Sequence, residues 1–209
     1  MKLFVFDLEN TLIYNEFLPE LAKLVGREGE VLRITGRGVE GKMDWVEGFR
    51  ERARSLSGIT RDQVLKLAGD IRLVPGALGF VRSLRTMGHM VGLITGGPSE
   101  LAERAQQLFG ADRCVSNDFI YEGDRLTGEV VVRVTPATKG IFAQEMARSM
   151  GVGSQDIIAF ADGAMDVGLL RAAGIALAVN PRGTLSQWVD YEVRDFEEAY
   201  QWLRAGGVI

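Results

Sequence analysis

Two carboxylates follow a short apolar run at the start of the chain. Residues 3–6, Leu-Phe-Val-Phe, are typical of a strand that is buried on both faces of a parallel sheet. Asp7 ends this run, and Glu9 comes two residues later. Ligands of open α/β sheets bind just outside the carboxyl ends of the strands, so both acids could face one crevice. One could then act as a nucleophile or metal ligand and the other as a proton donor, although an ordinary acidic turn has the same pattern.

Three further groups of residues that could take part in chemistry occur later in the chain. The apolar run 156–160 predicts a second strand, and it leads to the carboxylates of Asp162 and Asp166. Thr95-Gly96-Gly97 follows another strand-like run, and Lys139 lies near the start of a predicted helix. Each group taken alone could be a polar turn, a loop or a solvated helix residue. Their joint occurrence in these contexts favours a functional site.

The order of the four elements resembles that of the haloacid dehalogenase superfamily of phosphohydrolases. The acid pair Asp7 and Glu9 comes first, followed by Thr95-Gly96-Gly97, then Lys139 and finally a second acid pair. The resemblance covers nearly the whole chain and is greatest to the phosphoserine phosphatase branch. It implies a Rossmann-like, doubly wound parallel sheet and hydrolysis of a small phosphorylated metabolite.

The resemblance also implies a catalytic role for each element. Asp7 is the expected nucleophile, which attacks phosphorus and becomes an aspartyl-phosphate. Glu9 is expected to protonate the leaving oxygen and later to deprotonate the attacking water. Thr95 and the Gly96 amide are expected to hold the phosphoryl oxygens, and Lys139 to supply a fixed positive charge.

A magnesium ion belongs to the same expectation, because a carboxylate nucleophile and a phosphate repel each other. Magnesium takes oxygen ligands. The family's ligands correspond to Asp7, the backbone carbonyl of Glu9 and Asp162, with Asp166 supporting these ligands from behind.

Two residues are candidates for binding the rest of the substrate. Arg52 falls on an apolar helical stripe, seven residues after Trp45, and a charged side chain in that position calls for a carboxylate partner. In phosphoserine phosphatases an Arg of the cap binds the substrate carboxylate, and a Glu just after the first motif binds its amine. Arg52 and Glu16 occupy the matching positions, although periodicity places Glu16 on the polar side of its helix.

The chain departs from the family pattern at both acid pairs. The second acid of the first motif is usually Asp, whereas here it is Glu9, as in some related archaeal proteins and in a bacterial phosphoserine:homoserine phosphotransferase. In the last motif, which usually has the sequence Gly-Asp-Gly-x-Asn-Asp, Ala161 replaces the first Gly and Met165 replaces Asn. Met165 lacks the amide of Asn, so this departure bears on the identity of the substrate.

The remaining sequence predicts how these residues are positioned. Residues 14–72 contain helical periodicities and no sheet-like run, which indicates an all-helical insert after the first strand. The family resemblance implies that this insert is a helical cap domain. Residues 1–13 and 73–209 are expected to form the α/β core domain. An alternating segment at 119–134 with Gly-Asp at 123–124 predicts a short β-hairpin. Residues 113–116 and 175–179 are expected to form further strands, the second followed by a turn at Asn180-Pro181, and Asn15 is expected to cap the first helix of the insert.

Composition narrows the possible functions. The chain has 209 residues, is 46% hydrophobic and carries a net charge of −4, which disfavours nucleic-acid and anionic-membrane partners. Its single cysteine, Cys114, excludes an internal disulfide, and His89 has no neighbours suited to metal binding. The first apolar run is too short for a signal peptide, and we expect a cytoplasmic protein. Nothing in the sequence indicates an oligomeric state.

Three functions remain open at this point. A magnesium-dependent phosphatase acting on phosphoserine or a similar phosphomonoester is the first. A phosphotransferase that passes the phosphoryl group to an alcohol such as homoserine is the second. A catalytically weakened protein that binds a phosphorylated ligand is the third, and it is motivated by Glu9 and Met165.

Overall fold

The first apolar run forms the central strand of a seven-stranded sheet. In the computed structural model, which describes residues 1–39 and 42–209, this sheet has the order β4-β3-β2-β1-β5-β6-β7. The strands in chain order are β1 Leu3–Phe6, β2 Met90–Pro98, β3 Arg113–Glu122, β4 Arg125–Val131, β5 Ile157–Gly163, β6 Ile175–Arg182 and β7 Tyr191–Val193. All neighbouring pairs are parallel except β3 and β4.

Alternation along β1 explains why both faces of the sheet are covered. Phe4 and Phe6 belong to one apolar cluster, whereas Leu3 and Val5 belong to another on the opposite face. The ring of Phe6 stacks on that of Phe160 with 4.7 Å between their centres. The predicted doubly wound α/β sheet is therefore confirmed.

Helices cover the two faces unequally. The helices are α1 Phe17–Lys23, α2 Glu28–Val39, α3 Trp45–Arg54, α4 Arg61–Gly69, α5 Ala77–Thr86, α6 Ser99–Phe109, α7 Lys139–Ser149, α8 Val167–Arg171 and α9 Phe196–Ala205. Helices α5, α6 and α9 pack on the face of Phe4 and Phe6, and α7 and α8 pack on the face of Leu3 and Val5. Among the described helices, none is long and apolar enough to cross a membrane.

The predicted hairpin is longer than the sequence pattern indicated. The core strand expected at 113–116 and the first arm of the hairpin form one continuous strand, β3, which turns back into β4 at Gly123 and Asp124. Gly123 has a φ of 60°, a left-handed conformation that glycine adopts without strain. The hairpin is thus an extension of the main sheet.

Helices α1 to α4 occupy the segment between β1 and α5. Ile13 and Leu73 pair at the two ends of this segment, and the Tyr14 amide donates to the Arg72 carbonyl at 2.8 Å. The predicted division into a core and a cap at 14–72 remains a proposal, and positions 40 and 41 of that range lie outside the described residues. The apolar cluster around Phe4 and Phe6 continues into this helical segment.

Side chains fix where α3 and α4 begin. Asp44 accepts hydrogen bonds from the amides of Val46 and Glu47 at the start of α3, and Thr60 forms a capping box with Gln63 at the start of α4. Asn15, expected to cap α1, does not do so. Its buried side chain instead donates to the Asp70 carbonyl at 3.0 Å and accepts from the Arg72 amide at 2.8 Å, which joins the two ends of the segment.

The hairpin also contacts the helical segment. The Gly58 amide donates to the Leu126 carbonyl at 2.8 Å, and the Leu126 amide donates to the Ile59 carbonyl at 2.9 Å. The Arg61 amide donates to the Asp124 carbonyl at 2.7 Å. The strand extension therefore supports the region between α3 and α4 and so helps to position α3 above the sheet edge.

Candidate active site

A tight loop after β1 presents Asp7 at the carboxyl edge of the sheet. The Leu8 carbonyl accepts from the amides of Thr11, Leu12 and Ile13 at 3.3, 2.9 and 3.1 Å. Asn10 has a φ of 64°, a left-handed conformation that Asn tolerates better than most residues. The Asp7 amide still donates to the Phe160 carbonyl at 2.9 Å, so its position is set by the central pair of strands.

The Asp7 carboxylate is held by two partners. The Lys139 ammonium donates to Oδ1 at 2.6 Å, and the Thr11 hydroxyl donates to Oδ2 at 3.2 Å. Lys139 also donates to Asp166. Burial opposes the positive charge of Lys139, but the carboxylates of Asp166 and Asp7 outweigh that effect and raise its pKa. Lys139 is therefore a permanent cation beside Asp7.

Local hydrogen bonds place Lys139 at the first position of α7. The Thr135 amide donates to the Thr138 hydroxyl at 2.8 Å, and the Thr138 amide donates to the Thr135 hydroxyl at 3.2 Å. These two bonds close the turn before the helix. The Lys139 side chain then extends, almost fully buried, to the acids at the ends of β1 and β5.

Three buried carboxylates form a cluster that suits a cation. Oxygen atoms of Asp7, Asp162 and Asp166 all lie within 4.8 Å of one another. Burial raises the pKa of Asp162 to about 7 and that of Asp166 to about 6, and the neighbouring acids add to both shifts. The all-oxygen donor set and the excess of negative charge fit a hard divalent ion such as Mg²⁺.

The side chain of Glu9 extends from the loop after β1 to the start of α1. Its Oε1 accepts from the Phe17 amide at 2.7 Å, at the positive end of the helix. Burial raises the pKa of Glu9 to about 7, although the Phe17 amide opposes the shift. A Cβ atom at position 97 would lie 3.0 Å from Oε2, so Gly97 leaves the space that Glu9 occupies. Glu9 can therefore both give and take a proton near neutral pH.

The Thr95-Gly96 loop is fixed from behind by a buried amide. The Thr95 hydroxyl accepts from the Gly97 amide at 3.0 Å. Asn117 donates to the carbonyls of Gly96 and Val134 at 2.9 and 3.0 Å, and its oxygen accepts from the amides of Arg133 and Val134. Asn117 thereby connects this loop to the segment that leads to Lys139. Asn117 was not among the site residues predicted from the sequence.

Arg52 is one turn further along the stripe that Trp45 and Phe49 begin. Its Nε donates to the Gly48 carbonyl at 3.2 Å, and its guanidinium carbon lies 5.7 Å from the centre of the Phe49 ring. Among the described residues no carboxylate lies within ion-pair distance of Arg52. Burial lowers the pKa of Arg52, and the nearby charge of Glu9 opposes this shift. The guanidinium is available to an anionic group in the cavity.

Arg182 is a cavity residue that the sequence analysis did not identify. The sequence predicted that the strand at 175–179 ends before Asn180, but β6 extends to Arg182, which pairs with Gly163. The side chain of Arg182 contacts Glu16 and Asn10 and lies 3.6 Å from Asp162. Charged residues at the end of a strand next to β5 are the signal that could have found it.

All nine predicted site residues line one cavity of about 530 Å³ at the carboxyl edge of the sheet. They are Asp7, Glu9, Glu16, Arg52, Thr95, Gly96, Lys139, Asp162 and Asp166. Met165, the departure from the family pattern, also lines this cavity and is 43% exposed. Trp45 of α3 covers Gly96 so closely that a Cβ there would lie 3.0 Å from the indole ring. The arrangement can hold a phosphoryl group between a nucleophile, a cation and a proton donor.

Other titratable residues lie away from this cavity. His89 precedes β2, where its Nδ1 accepts from the Lys2 amide at 3.3 Å. Cys114 is half-buried in β3, and burial raises the pKa of its thiol to about 12. Neither residue lines the cavity.

Comparison with known proteins agrees with this geometry. The haloacid dehalogenase-like hydrolase family matches residues 4–171. A phosphoserine phosphatase of Methanocaldococcus jannaschii is 29% identical over 206 residues, which cover 97% of this chain and 98% of the relative. That of Halobacterium salinarum is 31% identical over 94% of each chain. One from Archaeoglobus fulgidus is 33% identical over 190 residues, and the match spans 90% of this chain but only 55% of that relative.

Solved structures show the same similarity. The structure described as a phospho-aspartyl intermediate analogue of phosphoserine phosphatase has a TM-score of 0.89, with 28% identity over 96% of this chain and 98% of the other. A substrate-bound phosphoserine phosphatase complex has the same TM-score and identity and covers 97% of the other chain. The protein therefore belongs to the haloacid dehalogenase-like hydrolase family, as a hydrolase of its phosphoserine phosphatase-like branch.

Proposed function

We propose that this protein is a magnesium-dependent phosphatase that hydrolyses a small phosphomonoester, with O-phosphoserine as its substrate. The observation that carries the proposal is the position of Asp7. Its carboxylate lies at the sheet edge between Lys139 and Thr11, in the same cavity as Glu9. The names of the relatives support the choice of phosphoserine.

In the first step, an oxygen of Asp7 attacks phosphorus and the bond to the ester oxygen breaks. The phosphoryl group becomes bound to Asp7 as an acyl phosphate. Glu9 gives its proton to the departing serine oxygen, which leaves as a neutral alcohol. The raised pKa of Glu9, about 7, keeps a substantial protonated fraction available for this transfer.

In the second step, water attacks the phosphorus of the acyl phosphate. Glu9, now a carboxylate, takes a proton from this water, and the bond between phosphorus and the Asp7 oxygen breaks. Inorganic phosphate leaves, Asp7 is again a free carboxylate and Glu9 is again protonated. The same residue thus acts as acid and then as base.

Asp7 and Asp162 would hold Mg²⁺ directly, with Asp166 supporting them from behind. The family pattern adds the backbone carbonyl of Glu9 to these ligands. When bound, the ion would supply positive charge that offsets the repulsion between the carboxylate and the phosphate. Asp166 orients Lys139, to which it is hydrogen-bonded.

Other cavity residues bind the substrate in this proposal. Thr95 and the Gly96 amide hold phosphoryl oxygens at the start of the segment that leads into α6, together with Lys139. Arg52 binds the substrate carboxylate, because no carboxylate of the described residues lies within ion-pair distance of its guanidinium. Glu16, which lines the same cavity, is the proposed acceptor of the substrate ammonium. Such a small-metabolite phosphatase is proposed to act in the cytoplasm.

A panel of phosphate esters tests this function. Phosphate release is measured for O-phosphoserine, O-phosphothreonine, glycerol phosphate and p-nitrophenyl phosphate, with Mg²⁺ and after its removal by chelation. We expect release from O-phosphoserine that is lost on chelation and restored by Mg²⁺. Turnover that survives complete chelation, or a panel with no hydrolysed ester, would contradict the proposal.

A further inference from the structure

Arg182 forms ionic contacts with acids from both sides of the cavity. Its Nη1 lies 3.1 Å from Glu16 Oε1, its Nη2 donates to Asn10 Oδ1 at 2.6 Å and its Nε lies 3.6 Å from Asp162 Oδ2. Asn10 belongs to the β1 loop, Glu16 precedes α1 and Asp162 is in β5. Arg182 therefore bridges the mouth of the cavity between the core edge and the helical segment.

The charged side chains of the cavity differ in whether they already have an ionic partner within the protein. Lys139 is occupied by Asp7 and Asp166, whereas Arg52 has no carboxylate at ion-pair distance within the described residues. Glu16, the proposed acceptor of the substrate ammonium, already faces the guanidinium of Arg182. A substrate carboxylate thus meets an unpaired cation, but a substrate ammonium meets an acid whose charge is already compensated.

We propose that Arg182 is a specificity-determining residue that screens Glu16, so that the enzyme accepts small phosphomonoesters carrying a carboxylate whether or not they also carry an amino group. This inference rests on the proposed function and widens its substrate class. An ammonium would have to displace Arg182 from Glu16 or share the acid with it. The side chains of Arg182 and Glu16 are 59% and 45% exposed, so this exchange is open to solvent and the pair is weak.

The matched probes are O-phospho-L-serine and 3-phosphooxypropionate, the same ester without its amino group. We expect the wild-type ratio of kcat/KM between these esters to stay below about threefold. Arg182→Gln should raise this ratio in favour of phosphoserine by about fivefold, because Glu16 is then unscreened. Arg182→Lys keeps the charge and should keep the ratio.

Two controls isolate the contact between Arg182 and Glu16. The double variant Arg182→Gln/Glu16→Gln should return to the wild-type ratio, because no unscreened acid remains. Arg194→Gln removes an exposed, ion-paired arginine outside the cavity and should change nothing. Equal losses on both esters in Arg182→Gln would overturn the proposal, since Arg182 would then bind a group that the two esters share. An unchanged ratio would overturn it as well.

Calorimetric binding of both esters to the Asp7→Asn protein separates this proposal from the proposed function. Without turnover, Arg182→Gln in that background should shift the ratio of dissociation constants by the same factor. If the wild-type protein hydrolyses neither ester but the ratio of dissociation constants shifts in this way, the proposed phosphatase function is wrong and the screening role of Arg182 is supported. If the wild-type protein hydrolyses the esters but Arg182→Gln leaves the ratio of dissociation constants unchanged, the phosphatase function is supported and the screening role is wrong. If neither ester binds, both proposals are wrong.

Discussion

The Lys139 ammonium lies 2.6 Å from Oδ1 of Asp7, and each of the two side chains is only 7% exposed. The same ammonium donates to Asp166, so one cation pairs with two acids that follow different strands. The residues are 132 positions apart in sequence and meet because β1, β5 and α7 converge at one edge of the sheet. This contact positions the nucleophile and also compensates its charge.

We predict that Lys139→Ala destabilises the metal-free protein by about 3–5 kcal/mol, because buried carboxylates lose their cation. Urea unfolding of the wild type and the variant measures the difference. Added Mg²⁺ should recover part of the lost stability, since it neutralises the same acids. Lys66→Ala, on the exposed side of α4, is the control and should shift the unfolding free energy very little. A loss below about 1 kcal/mol in Lys139→Ala would contradict the buried charge balance.

We predict that kcat/KM depends on pH differently for substrates with good and with poor leaving groups, because Glu9 acts as the acid. Its pKa is raised to about 7, so the acid form that protonates a leaving oxygen is lost as the pH rises through 7. A serine leaving group needs that proton, whereas p-nitrophenolate leaves without it. The ratio of kcat/KM for phosphoserine to that for p-nitrophenyl phosphate should therefore fall above pH 7. Glu9→Gln should remove this dependence, and a ratio that stays flat in the wild type would refute the acid role.

The same shift has a consequence for stability in the metal-free protein. The pKa of Glu9 is about 7 in the folded chain and 4.5 ordinarily, so the folded state holds the proton more tightly. The stability that this protonation gives is full below about pH 4.5 and is lost as the pH rises through 7. The fall should be on the order of 1–3 kcal/mol and smaller in Glu9→Gln, as followed by urea unfolding at several pH values. Equal pH profiles would show that Glu9 is not desolvated.

Arg52 is predicted to recognise the substrate carboxylate. Arg52→Ala should raise KM for phosphoserine by at least tenfold, because a charge-assisted pair contributes about 1.5–3 kcal/mol. KM for p-nitrophenyl phosphate, which has no carboxylate, should change little. Arg50→Ala removes an exposed arginine from the same helix and serves as the control. Equal effects of Arg52→Ala on the two substrates would show that Arg52 does not bind the carboxylate.

The sequence predicted much of this architecture, because acids that directly follow buried parallel strands lie at the carboxyl edge of the sheet. The site residues after β1 and β5 were expected to lie together because their order along the chain resembles that of the haloacid dehalogenase superfamily and because both groups follow strand-like runs. Arg182 was missed although it lies at the end of a strand next to β5, because its contact with Glu16 depends on the register of Gly163 with Arg182, which the residues alone do not give. The strand predicted at 175–179 ended too early at Asn180 and Pro181. The sequence pattern also split β3, since its register with β4 shifts between Phe119 and Tyr121.

Asn117 could not be predicted as a site residue for a different reason. A lone Asn in a strand has no periodic or motif signal, yet its side chain makes four hydrogen bonds to the backbone around Thr95-Gly96 and 133–134. We predict that Asn117→Ala destabilises the protein by about 2–4 kcal/mol, because buried backbone groups lose their partners. It should also lower kcat more than it raises KM, as steady-state kinetics would show. A variant with normal stability and turnover would contradict the positioning role.

The central claim is that Asp7 carries the phosphoryl group, and acid quenching within one turnover tests it most directly. Wild-type protein is mixed with O-phosphoserine and Mg²⁺, quenched in acid, digested and examined by mass spectrometry. We expect a phosphoryl group on the peptide that contains Asp7, and neither this adduct nor phosphate release in Asp7→Asn. A phosphoryl group found on another residue, or full phosphate release by Asp7→Asn, would contradict the account.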